Sequence, residues 1–165
     1  MERFSNTTRE VAQKGRRGAL MITMDVAHPD ILAFITAKQD LSKVTGANVS
    51  VRISDAFMKA VENDAPFTLH WPIDAPEPTV TRVVRAREIW DRLIECAHRT
   101  AEPGVIFWDH QHAYSTSSVY PGFRNVSTNP CSEIAMQGGD SCRLIAINLY
   151  SFVKDPFTPH AVFDQ

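Results

Sequence analysis

Two apolar segments separated by a helical pattern constrain the fold of this chain more than any other feature. Residues 19–26 form a nearly continuous apolar run between Gly18 and Pro29, which predicts a strand buried on both faces. A helix is expected to start at Pro29, and residues 46–53 then alternate apolar and polar side chains as a second strand. Apolar strands joined by a helical crossover pair in parallel, so the sequence predicts an α/β fold with a parallel sheet.

The remaining elements extend this pattern. Ser54 is expected to cap a short amphipathic helix that ends near Asn63. Four prolines between residues 64 and 81 predict an irregular excursion with at most a short strand at 67–71. The other predicted elements are a loop or frayed end over residues 1–9, a long helix over 82–102, a strand beginning at 105–108 and a buried strand within 143–152.

Charge and composition narrow the classes of function. The 165 residues carry a net charge of −2 with a pI near 6.3, and 44% of them are hydrophobic. These values fit a globular domain and not a general binder of polyanions, so nucleic acid is not an expected partner. A local basic cluster of Arg9, Lys14, Arg16 and Arg17 suits contact with phosphates, although a solvated basic loop is the alternative.

Cysteine number and hydropathy bear on the compartment. Three cysteines, an odd number, argue against a disulfide framework and predict a reducing cytoplasm. No apolar run approaches the roughly 20 residues that cross a bilayer, and the N-terminus lacks the apolar core of a signal peptide. We therefore expect a protein that is neither secreted nor membrane-spanning. Cys96 adjoins the apolar stripe of the long helix and is expected to be a small buried hydrophobe.

An amide, a thiol and a carboxylate alternate at Asn129, Cys131 and Glu133. In an extended segment these three positions share one face, so their side chains would converge on one small substrate. Pro130 lacks a backbone N–H and biases the residue before it towards extended dihedral angles, which suits a loop tip. On the residues alone, a polar surface turn is an equally open interpretation.

Several motifs surround this segment in a fixed order. Ser-Thr-Asn-Pro-Cys-Ser-Glu-Ile at 127–134 is followed by Asp-Ser-Cys-Arg-Leu at 140–144 and Ala-Ile-Asn-Leu at 146–149. Upstream lie Gly-Arg-Arg-Gly-Ala at 15–19, His-Pro-Asp-Ile at 28–31, Phe-Ile at 34–35, Lys38, and Asn-Val-Ser-Val at 48–51. Together they resemble the large, catalytic subunit of ribonucleotide reductase, closest to its bacterial and phage members. The resemblance implies a ten-stranded α/β barrel whose central finger loop carries Cys131, with this chain as a part incomplete at both ends.

The resemblance also implies a role for each residue of the site. Cys131 becomes a transient thiyl radical that removes the 3′ hydrogen of a ribonucleotide, while Glu133 takes the 3′ hydroxyl proton and Asn129 holds the ribose hydroxyls. The residue types suit these roles, because a carboxylate can act as a general base and an amide both donates and accepts. Cys142 corresponds to one member of a redox-active dithiol that supplies two electrons when the 2′ hydroxyl leaves as water. The product is then a deoxyribonucleotide for DNA synthesis, made from a ribonucleoside di- or triphosphate.

Cofactors and partners are implied in the same way. The radical comes either from adenosylcobalamin, towards which the motifs lean, or from a separate metal-containing radical subunit. A thioredoxin or glutaredoxin-type reductant, nucleotide effectors such as ATP and dNTPs, and a homodimer of the full-length protein are also implied. The second reducing cysteine is expected upstream of residue 1, so this chain alone should lack turnover. The loop that links effector to substrate base corresponds to Gln13, Lys14, Gly15, Arg16, Arg17, Gly18 and Ala19.

Two other functions stay open at this stage. Cys131 could be the nucleophile of a hydrolase or transferase, with a histidine such as His110 within hydrogen-bond reach as its base. The chain could also be a noncatalytic remnant that keeps nucleotide-contacting loops, although its intact site residues argue against long decay. Asp109, His110 and His112 invite a metal, but a third ligand at fixed spacing is missing, and we assign no metal. His28 is assigned no chemistry.

Overall fold

Three parallel strands form the central sheet of the chain, whose computed structural model describes residues 1–11, 15 and 18–164. In chain order the elements are α1 (Glu2–Glu10), β1 (Met21–Asp25), α2 (Ile31–Thr36), β2 (Asn48–Ile53), α3 (Asp55–Glu62), β3 (Pro66–Trp71), β4 (Val80–Arg85), α4 (Ala86–Thr100), β5 (Gly104–Phe107), α5 (Trp108–Ala113), β6 (Asn125–Thr128), β7 (Ala135–Gln137), β8 (Val153–Lys154) and β9 (Val162–Phe163), with 3₁₀ turns at Thr116–Val119 and Leu149–Phe152. The sheet has the order β1-β2-β5, with Met21 opposite Asn48 and Ser50 opposite Gly104. The predicted α/β fold with a parallel sheet is confirmed.

One face of this sheet is apolar and is covered by helices. Val49, Val51 and Ile53 of β2 are buried in a single core with side chains of α2, α3 and α4. Each fully buried valine or isoleucine contributes about 1.5–3 kcal/mol, so this face holds the layers together. Cys96 of α4 lies in the same core at 1% exposure, which confirms the prediction of a small buried hydrophobe. The helices contribute Ile31, Phe34, Ile35, Phe57, Val61, Ile89 and Leu93 to this core.

The opposite face of the sheet is polar, because Asn48, Ser50 and Arg52 alternate with the core residues of β2. The β6–β7 hairpin lies across this face. The Thr23 and Ser127 hydroxyl oxygens are 3.2 Å apart, and Arg52 Nη1 donates to the Val126 carbonyl at 3.1 Å. The strand predicted at 19–26 was expected to be buried on both faces, but β1 is half-buried throughout, because within the described ranges it pairs with β2 alone.

The start of α3 follows its sequence signal. Ser54 adopts an extended conformation, and its Oγ accepts a hydrogen bond from the Phe57 amide at 3.2 Å. This bond satisfies one of the amides left open in the first turn of a helix, as expected of a serine cap. The helix ends at Glu62, one residue before the predicted end. None of the helices in the described ranges combines the length and the apolar character needed to cross a membrane.

The prediction of a loop over residues 1–9 is wrong, because these residues form most of α1. Its serines and threonines compete locally for the backbone, but tertiary contacts hold the helix in place. The Glu2 carboxylate accepts a hydrogen bond from the Val44 amide at 2.7 Å, and the hydroxyl of buried Ser5 accepts one from the Gly46 amide at 2.8 Å. These contacts come from residues more than 40 positions away, so local sequence does not report them.

The long helix predicted over 82–102 begins late. Residues 80–85 form β4, which pairs antiparallel with β3 from Pro66–Arg85 to Trp71–Val80, and α4 starts only at Ala86. The proline-rich excursion therefore contains a two-stranded hairpin and not a single short strand. Valine and threonine are frequent in β4, and their branched side chains favour a strand wherever a partner strand is present.

The buried strand predicted within 143–152 is also wrong. Leu144 and Ile145 are 83% and 90% exposed, and the described backbone of this stretch forms a 3₁₀ turn at Leu149–Phe152. The first strand after it is the short β8, which pairs with β9. An apolar run forms a buried strand only where a neighbouring strand pairs with it and an apolar surface covers it. The described residues provide neither for this stretch.

Candidate functional site

The segment with the alternating amide, thiol and carboxylate forms the turn between β6 and β7. The Ser132 amide donates to the Asn129 carbonyl at 3.0 Å, which closes a four-residue β-turn with Pro130 and Cys131 at its centre. The Asn129 amide in turn donates to the Ile134 carbonyl at 3.1 Å. The prediction of an extended segment is therefore wrong. Proline favours the second position of such a turn, because its ring fixes φ near the value that this position requires.

Asn129 holds this turn together from inside. Its side chain is buried at 4% exposure, and Oδ1 accepts a hydrogen bond from the Ile134 amide at 3.0 Å. Its Nδ2 donates to the Cys142 Sγ at 3.8 Å, within the range of a hydrogen bond to sulfur. The structure thus brings Asn129 and Cys142 together, although 13 positions separate them in the chain.

Cys131 and Glu133 are both exposed on the turn. Ser132 between them has a φ of 72°, the left-handed region that few residues other than glycine adopt, so the backbone changes direction between the two side chains. Glu133 lines a cleft of about 410 Å³ with His110, whereas Cys131 is not part of that lining. Their predicted convergence on one pocket with Asn129 stays a prediction.

The hairpin fixes where the turn lies relative to the sheet. Val126 contacts Arg52, near the carboxyl end of β2. Pro130 contacts Asn48, the first residue of β2, whose Nδ2 donates to the Pro130 carbonyl at 2.8 Å. The β6–β7 ladder shifts register between Asn125 and Ser127, where a bulge interrupts it. Cys131, the residue after Pro130, therefore lies at the amino-terminal edge of the parallel sheet.

Asn48 and Arg52 hold the hairpin in place, a role that the sequence did not predict, although Asn48 belongs to one of the motifs. Asn48 donates to the Pro130 carbonyl and Arg52 donates to the Val126 carbonyl. The Arg52 guanidinium also lies 5.0 Å from the Trp108 ring. Both are among the polar residues that alternate with apolar ones along β2. Strands of a parallel sheet are usually covered on both faces, so polar residues at every second position of β2 indicate a second face that is covered by polar contacts.

The loop expected to link effector and substrate is only partly described. Gln13, Lys14, Arg16 and Arg17 lie outside the described residues. Gly15 has a φ of 81°, a conformation that suits glycine. Gly18 and Ala19 line a cavity of about 600 Å³ together with Arg9 and Lys38. Arg9, the described member of the basic cluster, donates to the Thr45 hydroxyl at 2.8 Å.

The histidines of the competing hypotheses lie on α5 and not on a strand. His110 packs against Tyr114 with ring centroids 4.5 Å apart, and on a helix two positions of separation do not bring His110 and His112 onto one face. Asp109 is used by the fold, since its carboxylate accepts a hydrogen bond from the Asp55 amide at 2.8 Å. Among the described residues no group of three metal-ligating side chains converges.

Comparisons with known proteins give the same assignment over the whole chain. The family model of the ribonucleotide reductase barrel domain matches residues 1–165. A protein named vitamin B12-dependent ribonucleoside-diphosphate reductase from Thermoplasma acidophilum is 37% identical over 161 residues, which cover 94% of this chain and 20% of that protein. A protein of the same name from Mycobacterium tuberculosis is 35% identical over 142 residues, covering 85% of this chain and 20% of the relative. A putative ribonucleoside-diphosphate reductase large subunit of Frog virus 3 is 31% identical over 149 residues, with 82% and 25% covered.

These matches define both the family and the extent of the chain within it. This chain spans about a fifth of the length of the bacterial and archaeal relatives. Its parallel sheet, the crossover helices and the turn with Cys131 all lie inside the matched region. The chain therefore belongs to the ribonucleotide reductase family, and residues 1–165 fall within the barrel domain of that family.

Proposed function

We propose that this chain is the part of a ribonucleotide reductase catalytic subunit that carries the radical thiol, with Cys131 as the residue that reacts with substrate. The observation that carries the proposal is the β6–β7 turn, which holds an exposed Cys131 next to an Asn129 that contacts a second thiol, Cys142. Hairpin and sheet would form one part of a ten-stranded α/β barrel, with the hairpin as its central finger loop. The names of the relatives support the reaction class.

The proposed reaction assigns one step to each group. Cys131 loses the hydrogen atom of its S–H bond to an initiator, and its sulfur radical takes the 3′ hydrogen of the ribonucleotide. Glu133 accepts the 3′ hydroxyl proton, which its exposed carboxylate can do as a general base. The 2′ C–O bond then breaks and the oxygen leaves as water. Cys142 and a second thiol outside this chain become a disulfide, which supplies two electrons and two protons. Cys131 then returns the hydrogen atom to the 3′ carbon, and Glu133 returns the proton to the 3′ oxygen.

Asn129 would orient the substrate in this scheme. Its Oδ1 is occupied by the Ile134 amide, whereas an amide nitrogen has two hydrogens and Cys142 uses one of them. The second hydrogen of Nδ2 is then the group that would hold a ribose hydroxyl. The same side chain would set the distance between the turn and the reducing thiol.

Adenosylcobalamin is the cofactor we propose, since relatives covering most of this chain are named vitamin B12-dependent. When bound, it supplies the radical that takes the hydrogen atom from Cys131. The chemistry of the residue present fits, because the Cys131 thiol is exposed at the turn and open to a reactant from outside the described chain. A separate metal-containing radical subunit is the alternative initiator.

The remaining partners follow from the same proposal. A dithiol protein of the thioredoxin or glutaredoxin type would regenerate the thiols, and ribonucleoside di- or triphosphates would be the substrates. Nucleotide effectors such as ATP and dNTPs would act through the loop that includes Gly15, Gly18 and Ala19, in a homodimer of the longer protein. Cys96, Cys131 and Cys142 are all free thiols, which fits the reducing cytoplasm as the compartment.

The proposal is tested in a chimera in which residues 1–165 replace the matching segment of the Thermoplasma relative. Cys131→Ser should abolish deoxyribonucleotide formation, because a serine O–H bond is too strong for hydrogen-atom exchange. Cys96→Ala is the matched control, since that thiol lies in the core and touches no part of the turn. Product formed by the Cys131→Ser chimera would refute the radical role.

Cys142→Ser separates the reducing role from the radical role in the same chimera. The radical thiol is restored within each cycle, whereas the dithiol must be regenerated, so the two losses should differ. We expect Cys142→Ser to allow attack on the 3′ hydrogen but to release free base and inactivate the enzyme. Normal multiple turnover with a dithiol protein reductant would show that Cys142 is only structural.

A further inference from the structure

An ion pair between Lys38 and Glu102 lies at the amino-terminal edge of the parallel sheet. Lys38 follows α2, and Glu102 lies in the connection from α4 to β5. Their side chains are only 15% and 23% exposed, so the pair is largely withdrawn from water. A pair of this kind is a weak source of stability, because the desolvation of both charges offsets their attraction. Its role is therefore to be found in the other groups that it contacts.

Each member of the pair also binds the backbone on one side of Asn48. The Lys38 Nζ donates to the Ala47 carbonyl at 2.7 Å, and the Glu102 Oε1 accepts from the Val49 amide at 3.0 Å. Ala47 and Val49 are 4% and 2% exposed, so their backbone groups have little access to water and depend on these partners. The backbone of Asn48 is thereby fixed from both sides.

The pairing of the strands explains why a side chain is needed at this point. Successive amides of a strand point to opposite neighbours. The Asn48 amide donates to the Leu20 carbonyl on the β1 side at 2.8 Å, so the Val49 amide points towards β5. The pairing of β5 with β2 begins at Gly104, which is opposite the residue after Val49. Glu102 thus supplies with its carboxylate the acceptor that would otherwise come from a longer β5.

The side chain of Asn48 connects this fixed backbone to the turn that carries Cys131. Its Nδ2 donates to the Pro130 carbonyl at 2.8 Å, whereas the turn closes through the Asn129 carbonyl. The Pro130 carbonyl belongs to the central peptide of the β-turn, and rotation of that peptide distinguishes type I from type II turns. The φ of Cys131 is not positive, whereas a type II turn would force it into the left-handed region. Asn48 therefore fixes the backbone orientation at Cys131.

We propose that Lys38 and Glu102 are positioning residues for the thiol of Cys131 and that they act through Asn48. The ion pair keeps the two backbone groups around Asn48 in place, and Asn48 keeps the central peptide of the turn from rotating. The inference rests on the proposed function only in that Cys131 is the residue that reacts with substrate. Because reacting atoms must be closely aligned, a misplacement of about 1 Å lowers the rate by up to about a hundredfold.

The positioning is tested first by NMR on the 165-residue chain, labelled with ¹⁵N in its three cysteines alone. The amide signal that disappears in Cys131→Ser belongs to Cys131 and reports on the central peptide of the turn. Glu102→Met removes the acceptor of the Val49 amide and should shift or split this signal. Glu102→Gln loses the charge but keeps an acceptor oxygen, and should leave the signal in place. Glu95→Met, the same change in the exposed pair with Arg92, is the control and should leave it in place too.

The consequence for catalysis is measured in the chimera with the Thermoplasma relative. Glu102→Met should lower kcat about tenfold or more and leave KM within about twofold, because it moves the thiol and not the substrate contacts. Glu102→Gln leaves Lys38 without an ionic partner and should lower the denaturation midpoint, yet keep kcat within about twofold. Asn48→Asp loses the donor to Pro130 and should reproduce the loss of kcat. Its combination with Glu102→Met should add little to that loss, since both changes act through one contact.

Two results overturn the proposal. One is that Glu102→Met leaves the Cys131 signal and kcat unchanged, and the other is that Glu102→Gln lowers kcat as much as Glu102→Met, since the pair would then act through stability alone. If Glu102→Met does not fold, the double change Lys38→Met and Glu102→Met removes both charges and leaves neither unpaired. It should show the same shifted signal and lower kcat, and unchanged values would again overturn the proposal. A chimera that lacks activity with residues 1–165 unaltered would refute the proposed function instead, and the cysteine signals would still decide the positioning.

Discussion

Asn129→Asp should slow the reaction of Cys142 with an alkylating reagent. The variant keeps the oxygen that accepts from the Ile134 amide at 3.0 Å, and so preserves the turn. It places a carboxylate oxygen where Nδ2 now donates to the Cys142 sulfur at 3.8 Å. Coulomb's law at the dielectric constant of water gives about 1 kcal/mol of repulsion between carboxylate and thiolate at that separation. Because the thiolate is the reactive form, alkylation should slow about fivefold.

Iodoacetamide labelling followed by mass spectrometry of each cysteine peptide measures this rate. Asn63→Asp is the control, because Asn63 is exposed and its side chain donates to the Lys59 carbonyl on α3. Circular dichroism should show that both variants keep their secondary structure. Equal labelling rates of Cys142 in the two variants would mean that Asn129 does not contact this thiol in solution, and the proposed coupling between the turn and Cys142 would be refuted.

Two more predictions concern the scaffold. Gly46→Ala should destabilise the chain by about 1–3 kcal/mol, because a Cβ at this position would overlap a carbonyl oxygen of α1, whereas Gly138→Ala, with open space around its Cα, should be neutral; chemical denaturation measures both. Burial raises the pKa of the Cys96 thiol, so it should label more slowly than Cys131 at neutral pH and reach the same rate in denaturant; fast labelling of native Cys96 would contradict its place in the core.

The central part of the fold follows from local pattern. Three local patterns predict their elements from a few residues each. They are the apolar run of β1, the alternation in β2 and the Ser54 cap of α3. Parallel pairing then follows, because a helical crossover leaves few other arrangements. These elements could be predicted since the same residues that define the pattern also form the core.

The elements that the sequence missed depend on distant partners. The helix α1 is held by contacts with Val44 and Gly46, and β4 exists because β3 lies beside it. Neither partner can be recognised from a local window. Conversely, the apolar run at Leu144 and Ile145 has the composition of a strand, but the described residues offer it no neighbour.

The site residues were identified by motif and not by geometry. Alternation suggested an extended segment, yet Pro130 and the hydrogen bonds of Asn129 form a turn. The contact between Asn129 and Cys142 has no sequence signal at all, because it depends on how the chain folds back over 13 positions. The roles of Cys131 and Glu133 in the reaction stay predictions that the chimera experiments address.

The bulge between Asn125 and Ser127 separates the backbone geometry at the two ends of the hairpin. A bulge lets a strand twist locally while the ladder beyond it keeps its register. Rotation at Asn125 is therefore absorbed before it reaches Thr128, whose hydroxyl donates to the Asn129 carbonyl at 3.0 Å. Residues on the Asn125 side of the bulge can then vary without changing the backbone of the turn that carries Cys131, so the two ends of one hairpin are free to diverge at different rates.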